Sequence, residues 1–176
     1  MSRSINPFSW TIGKEHHRTA EAHNQFVLQT VQPALAGLMD GSVSTLAPIF
    51  AVAFATHKPH FAFLTGVAAA VGAGISMAFA EALSDDGKLT GRGAPFRRGL
   101  IIGLMTFLGG IFHTLPFLIS NISTALILAY FIVGVELIVI AYFRYRFFNM
   151  RFWLSVLQVV VGGGLVFVAG ILIGSS

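Results

Sequence analysis

The chain has 176 residues, of which 55% are hydrophobic and only 10% are charged, and its mean hydropathy is +0.79. Soluble domains carry about 25% charged residues, so this composition excludes a soluble globular protein and indicates an all-α, polytopic membrane protein. The net charge of +4 comes from basic residues between apolar spans, which does not indicate nucleic-acid binding. Without cysteine, the chain forms neither disulfides nor thiolate metal sites.

Five apolar spans follow a polar amino-terminal segment. We expect residues 1–31 to form a cytoplasmic arm with a helical stretch, and residues 32–176 to form a transmembrane domain. Each span reaches the roughly 20 residues that a membrane helix needs. The predicted spans are residues 33–56, 61–84, 98–120, 122–143 and 152–174.

The basic residues predict the orientation of these spans. Ten of the 11 Lys and Arg residues lie in the arm or in the connections after the second and fourth spans, and Lys58 alone lies in the first connection. The positive-inside rule therefore predicts a cytoplasmic amino terminus and an external carboxy terminus. Five spans cannot divide into two inverted halves, so a symmetric pathway requires a homodimer.

Asp40 lies inside the first span, where an ionised carboxylate costs roughly 2.5 to 3.5 kcal/mol. Intramembrane acids are functional by default, and steps of three and four residues place this one on a small, polar helix face. The face comprises Asp40, Ser44, Ala47, Ala51 and Ala55. It suits the lining of an ion pathway or a close contact between helices. The alternative is a structural Asp paired with another helix.

Three residues share a depth under this orientation. At about 1.5 Å per residue, Asp40, Met77 and Glu136 each lie roughly 10 Å from the inner ends of their spans. Glu81 lies one turn nearer the cytoplasm, on the face of Met77. Carboxylates with a thioether favour a transition ion such as Fe²⁺ over Mg²⁺ or Ca²⁺. The predicted metal site therefore consists of Asp40, Met77, Glu81 and Glu136.

Other interpretations remain open for three of these residues. Met77 would also serve as simple packing, Glu136 would pair with Arg144 two turns later or support a helix contact, and Glu81 would be an ordinary solvated acid. The acidic line continues towards the cytoplasm with Asp85 and Asp86, which we predict to collect metal.

Histidines supply further candidates. The arm offers His16, His17, Glu21 and His23 as residues that collect cytosolic metal. His17 and Glu21 are four residues apart, a spacing that permits a shared metal, although a solvated helix face explains it equally well. His57 and His60 flank the predicted outer end of the first two spans, where they would receive an exiting ion. For His113 we favour a hydrogen-bonded structural role.

Two segments resemble the helix signatures of the vacuolar iron transporter family, which includes the nodulin-21-like proteins: MDGSVS at residues 39–44 and GAGISMAFAEAL at residues 72–83. Three others are similar to the membrane domain of bacterial membrane-bound ferritin proteins: GLMDGSVSTLAPIFAVAFAT, EALSDDGKLTGRGAP and GGIFHTLPFLI. The resemblance covers residues 30 to 174. Unlike those relatives, this chain has neither a long acidic segment between spans two and three nor a ferritin-like domain within its 176 residues.

The resemblance implies a homodimeric Fe²⁺ exporter that exchanges metal for protons along a pathway between the two first helices. Asp40 and Met77 correspond to the family's pathway residues, and Glu81 to the acidic residue that follows. Mn²⁺, Co²⁺ and Zn²⁺ are alternative substrates, H⁺ is the expected counter-ion, and no prosthetic group is expected. Metal and proton would compete for the Asp40 carboxylate.

Similarity to bacterial forms favours a bacterial inner membrane. The expected partners are membrane lipid, a second copy of the chain, divalent metal ions and a ferritin-like protein. The alternative function is a membrane anchor or assembly subunit for such a ferritin-like protein, without transport. An enzyme, such as a di-metal oxidase built on the arm histidines, is not expected, because the arm offers too few ligands.

Overall fold

A computed structural model describes residues 21–87, 91–148 and 150–175, and within those ranges all regular structure is helical. It confirms the all-α prediction, with five helices long and apolar enough to cross a membrane. The helices are α1 (Gln32–Thr56), α2 (Pro59–Ala82), α3 (Pro95–Phe112), α4 (Ile122–Phe148) and α5 (Phe152–Gly174).

The first helix begins earlier than predicted. Residues 21–26 are already helical, and a π-helical segment, Val27–Val31, leads directly into α1. In that segment the Gln32 amide donates to the carbonyl of Val27. The wider turn accommodates Pro33, which lacks an amide hydrogen and whose ring would clash with a carbonyl in a regular α-helix. The helix therefore continues through the predicted boundary between the arm and the membrane domain.

The third and fourth spans also differ from their predicted bounds. The helix predicted over residues 98–120 ends at Phe112, and a short 3₁₀ helix follows at Leu115–Leu118. Pro116 explains this break, because its ring and missing amide hydrogen would disrupt an α-helix continuing past Phe112. In contrast, α4 continues past residue 143 to Phe148, and Arg144 donates from Nη2 to Gln158 Oε1 at 2.8 Å.

α1 is the central helix and contacts each of the other four. Glycine allows the close approaches, since a Cβ at Gly41 would overlap the backbone of Thr106 in α3. Between α2 and α3, a Cβ at Gly103 would lie 2.6 Å from the carbonyl oxygen of Gly74. Phe50 of α1 is buried in the largest apolar cluster, whose other members come from α1, α2, α4 and the 3₁₀ helix. Most large apolar side chains on the outer faces are exposed, as expected of a surface that meets lipid.

Candidate functional site

Asp40 lies on the central helix at a point where α1 and α3 are in close contact. The glycines on either side of its turn, Gly37 and Gly41, face the backbone of Ile102 and Thr106. The Asp40 side chain itself is half-buried, and that of Ser44, one turn further along, is exposed. Asp40 therefore lies beside a close helix contact and still reaches the outer surface of the single chain.

The small face predicted along α1 divides into two halves. A Cβ at Gly170 of α5 would lie 2.8 Å from the carbonyl oxygen of Ala47, and one at Gly174 would lie 2.5 Å from that of Ala51. This half is a close helix contact. The other half is more open, since Asp40 is half-buried and Ser44 is exposed. The close-contact interpretation therefore holds for the half with Ala47 and Ala51, and the lining of an ion pathway stays a prediction for the other half.

Met77 is half-buried on α2 and lies near the level of Asp40. Its neighbours Gly74 and Ala78 pack against Gly103 of α3, and the glycines beside Asp40 pack against the same stretch of α3. The structure thus places Asp40 of α1 and Met77 of α2 beside neighbouring turns of α3.

Glu136 lies at a different depth from Asp40 and Met77, so the expectation of one shared level is wrong for this residue. Its Oε2 is 3.0 Å from Nδ1 of His113, at the end of α3. His113 is seven residues beyond Thr106, which separates the two levels by roughly 10 Å. The physical reason is the length of α4, which places Glu136 near the middle of its helix rather than near the cytoplasmic end.

The suggested pairing of Glu136 with Arg144 is also wrong. Arg144 donates to Gln158 and to the Met150 sulfur, the latter at 3.4 Å. Glu136 is buried and pairs with His113, which is fully buried and also lies 2.7 Å from Thr45 Oγ1. The prediction that His113 is hydrogen-bonded is confirmed.

The acids at the carboxy-terminal end of α2 are held by a buried arginine. Arg98 donates from Nε to Glu81 Oε1 at 2.6 Å and from Nη2 to Asp85 Oδ2 at 2.7 Å. Its Nη1 donates to the carbonyls of Arg92 and Gly93, and Arg92 Nη2 lies 3.1 Å from Glu81 Oε1. The Arg98 side chain is only 1% exposed, so this guanidinium is largely desolvated and fully engaged.

This ion-pair network changes the interpretation of two predicted residues. Glu81 is not an ordinary solvated acid, since its side chain is 14% exposed and faces two arginines. At Glu81 and Asp85 a metal would compete with Arg98 for the carboxylates. Asp86 is exposed. From the sequence alone, Arg98 is interpreted as one of the charges that orient the chain in the membrane. The signal that could have identified its structural role is its position in the first turn of α3, close to the acids at the end of α2.

The other predicted metal-collecting residues that the structure describes lie at helix ends. Glu21 and His23 are exposed at the start of the first helical segment, and His16 and His17 lie outside the described residues. His57 ends α1 with φ of 54°, and His60 stands in the first turn of α2. Within the described ranges, no three His, Asp or Glu side chains lie close enough together to hold a metal ion.

Four apolar helices around a fifth, central helix that bears a half-buried carboxylate define a polytopic membrane protein of the ion-transporter class. A family model described as the VIT family matches residues 83–175, more than half of the chain. The chain therefore belongs to the vacuolar iron transporter family, as its resemblance predicted, and is an integral membrane transporter of metals such as iron or manganese. The match does not include Asp40 and Met77. No curated protein and no solved structure matches the chain.

Proposed function

We propose that this protein exports Fe²⁺ from the cytosol in exchange for protons, along a pathway between two copies of the chain. The observation that carries the proposal is the position of Asp40, a half-buried carboxylate on the open half of the central helix. An acid at this depth would be costly in contact with lipid alone. Facing a second copy, it would line an enclosed polar pathway.

The ligand chemistry supports a transition metal. Asp40 offers two carboxylate oxygens. Met77 of α2, which packs beside a nearby level of α3, offers a thioether sulfur. Fe²⁺ accepts this combination better than Mg²⁺ or Ca²⁺ does. One carboxylate and one sulfur give fewer ligands than such an ion requires. A two-fold axis beside Asp40 and Ser44 would bring the same pair from the second copy and complete the site.

The route to this site begins at the cytoplasmic end of α2 and α3. Asp86 is exposed there, and the carboxylates of Glu81 and Asp85 form ion pairs with Arg98 and Arg92. We propose that Fe²⁺ approaches past Asp86 and reaches Asp40 without a permanent site at Glu81. In a bacterial inner membrane, the exported ion would leave towards the periplasm, and a ferritin-like partner would supply it on the cytosolic side.

Asp40→Asn tests this proposal in liposomes that contain only this protein. Removing the charge while keeping the shape should lower Fe²⁺ flux by at least about tenfold, since even changes to groups that merely support a metal ligand reduce metal affinity by that factor. Met77→Leu should lower flux for Fe²⁺ through loss of the sulfur. Asn121→Asp, which adds a carboxylate at an exposed helix start, controls for a change of charge. Normal Fe²⁺ flux in folded Asp40→Asn protein would refute the site.

A further inference from the structure

A buried chain of polar groups crosses the bundle from α1 to α4 through the end of α3. Thr45 Oγ1 lies 2.7 Å from His113 Nε2, and His113 Nδ1 lies 3.0 Å from Glu136 Oε2. Thr45 and His113 are fully buried, and Glu136 is 8% exposed. Most buried polar groups are hydrogen-bonded, so these two contacts limit where the hydrogens of the chain can lie.

The hydrogens of this chain can be placed in two ways that differ by one proton between His113 and Glu136. The Thr45 hydroxyl has one hydrogen, which reaches either the Gly41 carbonyl at 2.8 Å or His113 Nε2 at 2.7 Å. When the hydroxyl donates to Nε2, Nδ1 donates to the Glu136 carboxylate and the pair carries no added proton. When the hydroxyl donates to the Gly41 carbonyl, Nε2 donates to Thr45 Oγ1, and the contact between Nδ1 and Glu136 Oε2 holds one proton more. Rotation of one hydroxyl thus allows the pair to take up or release a proton while both contacts are kept.

Glu136 also reaches an open groove. Its second oxygen, Oε1, is buried and has no hydrogen-bond partner among the described residues. Glu136 lines a cavity of 740 Å³ between α3 and α4, and every other residue of that lining is apolar. Glu136 is therefore the one polar side chain in that lining, so the groove is where a proton would enter or leave the pair.

The pair is coupled to the proposed metal site through α1. The carbonyl that accepts the Thr45 hydroxyl belongs to Gly41, next to Asp40. Thr45 is five residues beyond Asp40, roughly 8 Å along the helix. The His113–Glu136 pair lies beyond Thr45, at a level roughly 10 Å from that of Asp40. A divalent cation at Asp40 would repel a proton on the pair over this distance, and the repulsion is much less screened in the protein interior than in water. Metal binding would thus favour release of the proton.

In the described part of the chain, no other titratable side chain forms a hydrogen bond or an ion pair with His113 or Glu136. Those on the surrounding elements lie farther along each helix: Asp40 on α1, His60 and Glu81 on α2, Arg97 and Arg98 on α3, and Tyr130, Tyr142, Arg144, Tyr145 and Arg146 on α4. α5 carries none between Phe152 and Gly174. Asp40 is therefore the titratable group of α1 that a proton on the pair would sense.

We propose that His113 and Glu136 form the site that binds the exchanged proton, separate from the metal ligands Asp40 and Met77. The inference rests on the proposed exchange of Fe²⁺ for protons and specifies where the proton is held. It assigns Glu136 to proton binding instead of metal binding.

Glu136→Gln tests this assignment in two measurements on the full chain. In liposomes with a pH indicator inside, the variant should still move Fe²⁺ down its gradient, but the protons moved per Fe²⁺ should fall by at least about tenfold, as expected when the coupling between two sites is removed. In weakly buffered detergent solution, Fe²⁺ binding should release about one proton fewer per chain than in the parent protein. Tyr142→Phe, another titratable side chain of α4, should leave both values unchanged.

His113→Gln provides a second variant with the same expected result, should Glu136→Gln fail to give a monodisperse protein. Unchanged proton coupling in either folded variant would overturn this assignment while leaving Fe²⁺ transport intact. Loss of Fe²⁺ binding in Glu136→Gln would overturn it too, by making Glu136 a metal ligand. A parent protein that moves no Fe²⁺ would instead contradict the proposed function itself.

Discussion

Arg97 and Arg98 are adjacent residues of the same type with opposite surroundings. Arg97 is exposed at the start of α3, whereas the Arg98 side chain is 1% exposed and binds two carboxylates and two carbonyls. Placing a guanidinium out of water is costly unless its charge and its hydrogen-bond donors are matched. At this position they are matched, so Arg98 joins the end of α2 to the start of α3.

Replacing each arginine separately measures this difference. Arg98→Ala leaves Glu81 and Asp85 largely buried without their main counter-charge, and we expect a loss of roughly 3–5 kcal/mol in the free energy of unfolding. Denaturant unfolding in detergent, followed by circular dichroism, gives the value. Arg97→Ala should stay within about 0.5 kcal/mol of the parent protein, as is usual at exposed positions. Equal losses in the two variants would show that Arg98 is not a structural centre.

Individual residues show how much of the candidate site can be predicted from the sequence alone. Asp40 could be selected because an acid within an apolar span is rare and expensive, and that argument needs no partner. The partners of Glu81 and Glu136 could not be selected in this way. Arg98 and His113 are 17 and 23 residues away from them along the chain, and which side chains meet depends on helix rotation and on helix ends.

At the scale of helices, small residues determine how closely α1, α2 and α3 approach. Gly72 and Gly74 stand two residues apart on α2, but only Gly74 faces α3, where a Cβ would lie 2.9 Å from the carbonyl oxygen of Gly103. Nothing lies within 4 Å of a Cβ at Gly72. Glycine spacing alone predicts close packing for both, whereas the structure separates a contact residue from a surface one.

Alanine at these two positions tests the contact. Gly74→Ala should destabilise the protein by about 1–3 kcal/mol, because an added methyl group must push α3 away from α2. Gly72→Ala should be neutral or stabilising by up to about 1 kcal/mol, since alanine favours a helix over glycine. Thermal unfolding of the two variants in the same detergent compares them. A destabilised Gly72→Ala beside an unaffected Gly74→Ala would mean that α2 is rotated from its described position.

Helix number was predictable from the sequence, and helix ends were less so. Apolar length alone gives five spans, but Pro116 ends α3 early and the two arginines after residue 143 remain within α4. Both effects depend on local geometry rather than hydropathy: a proline disrupts the helix before it, and long basic side chains allow a helix to continue into polar surroundings. The error in α4 is the one that misplaced Glu136.

For the molecule as a whole, the central proposal is a homodimer whose pathway follows the open half of α1. The absence of cysteine makes this accessible to cross-linking, because any introduced cysteine is the only one in the chain. Ser44 is exposed one turn beyond Asp40, and a two-fold axis there would place the two copies of this position close together.

Ser44→Cys should therefore give a disulfide-linked dimer in membranes under mild oxidation, since two cysteines bridge when their Cα atoms are within about 7 Å. Non-reducing gel electrophoresis detects the product. Leu165→Cys, on an exposed position of α5, should remain monomeric and controls for random collision. Dimers in Leu165→Cys and none in Ser44→Cys would place the interface on another surface.

The most direct test of the account is Fe²⁺ flux into liposomes that hold only this protein, with internal pH recorded at the same time. The account predicts Fe²⁺ uptake with matching proton release, and loss of both in Asp40→Asn. Fe²⁺ uptake with no movement of protons would contradict the exchange mechanism. No uptake of Fe²⁺ by the parent protein would contradict the central claim.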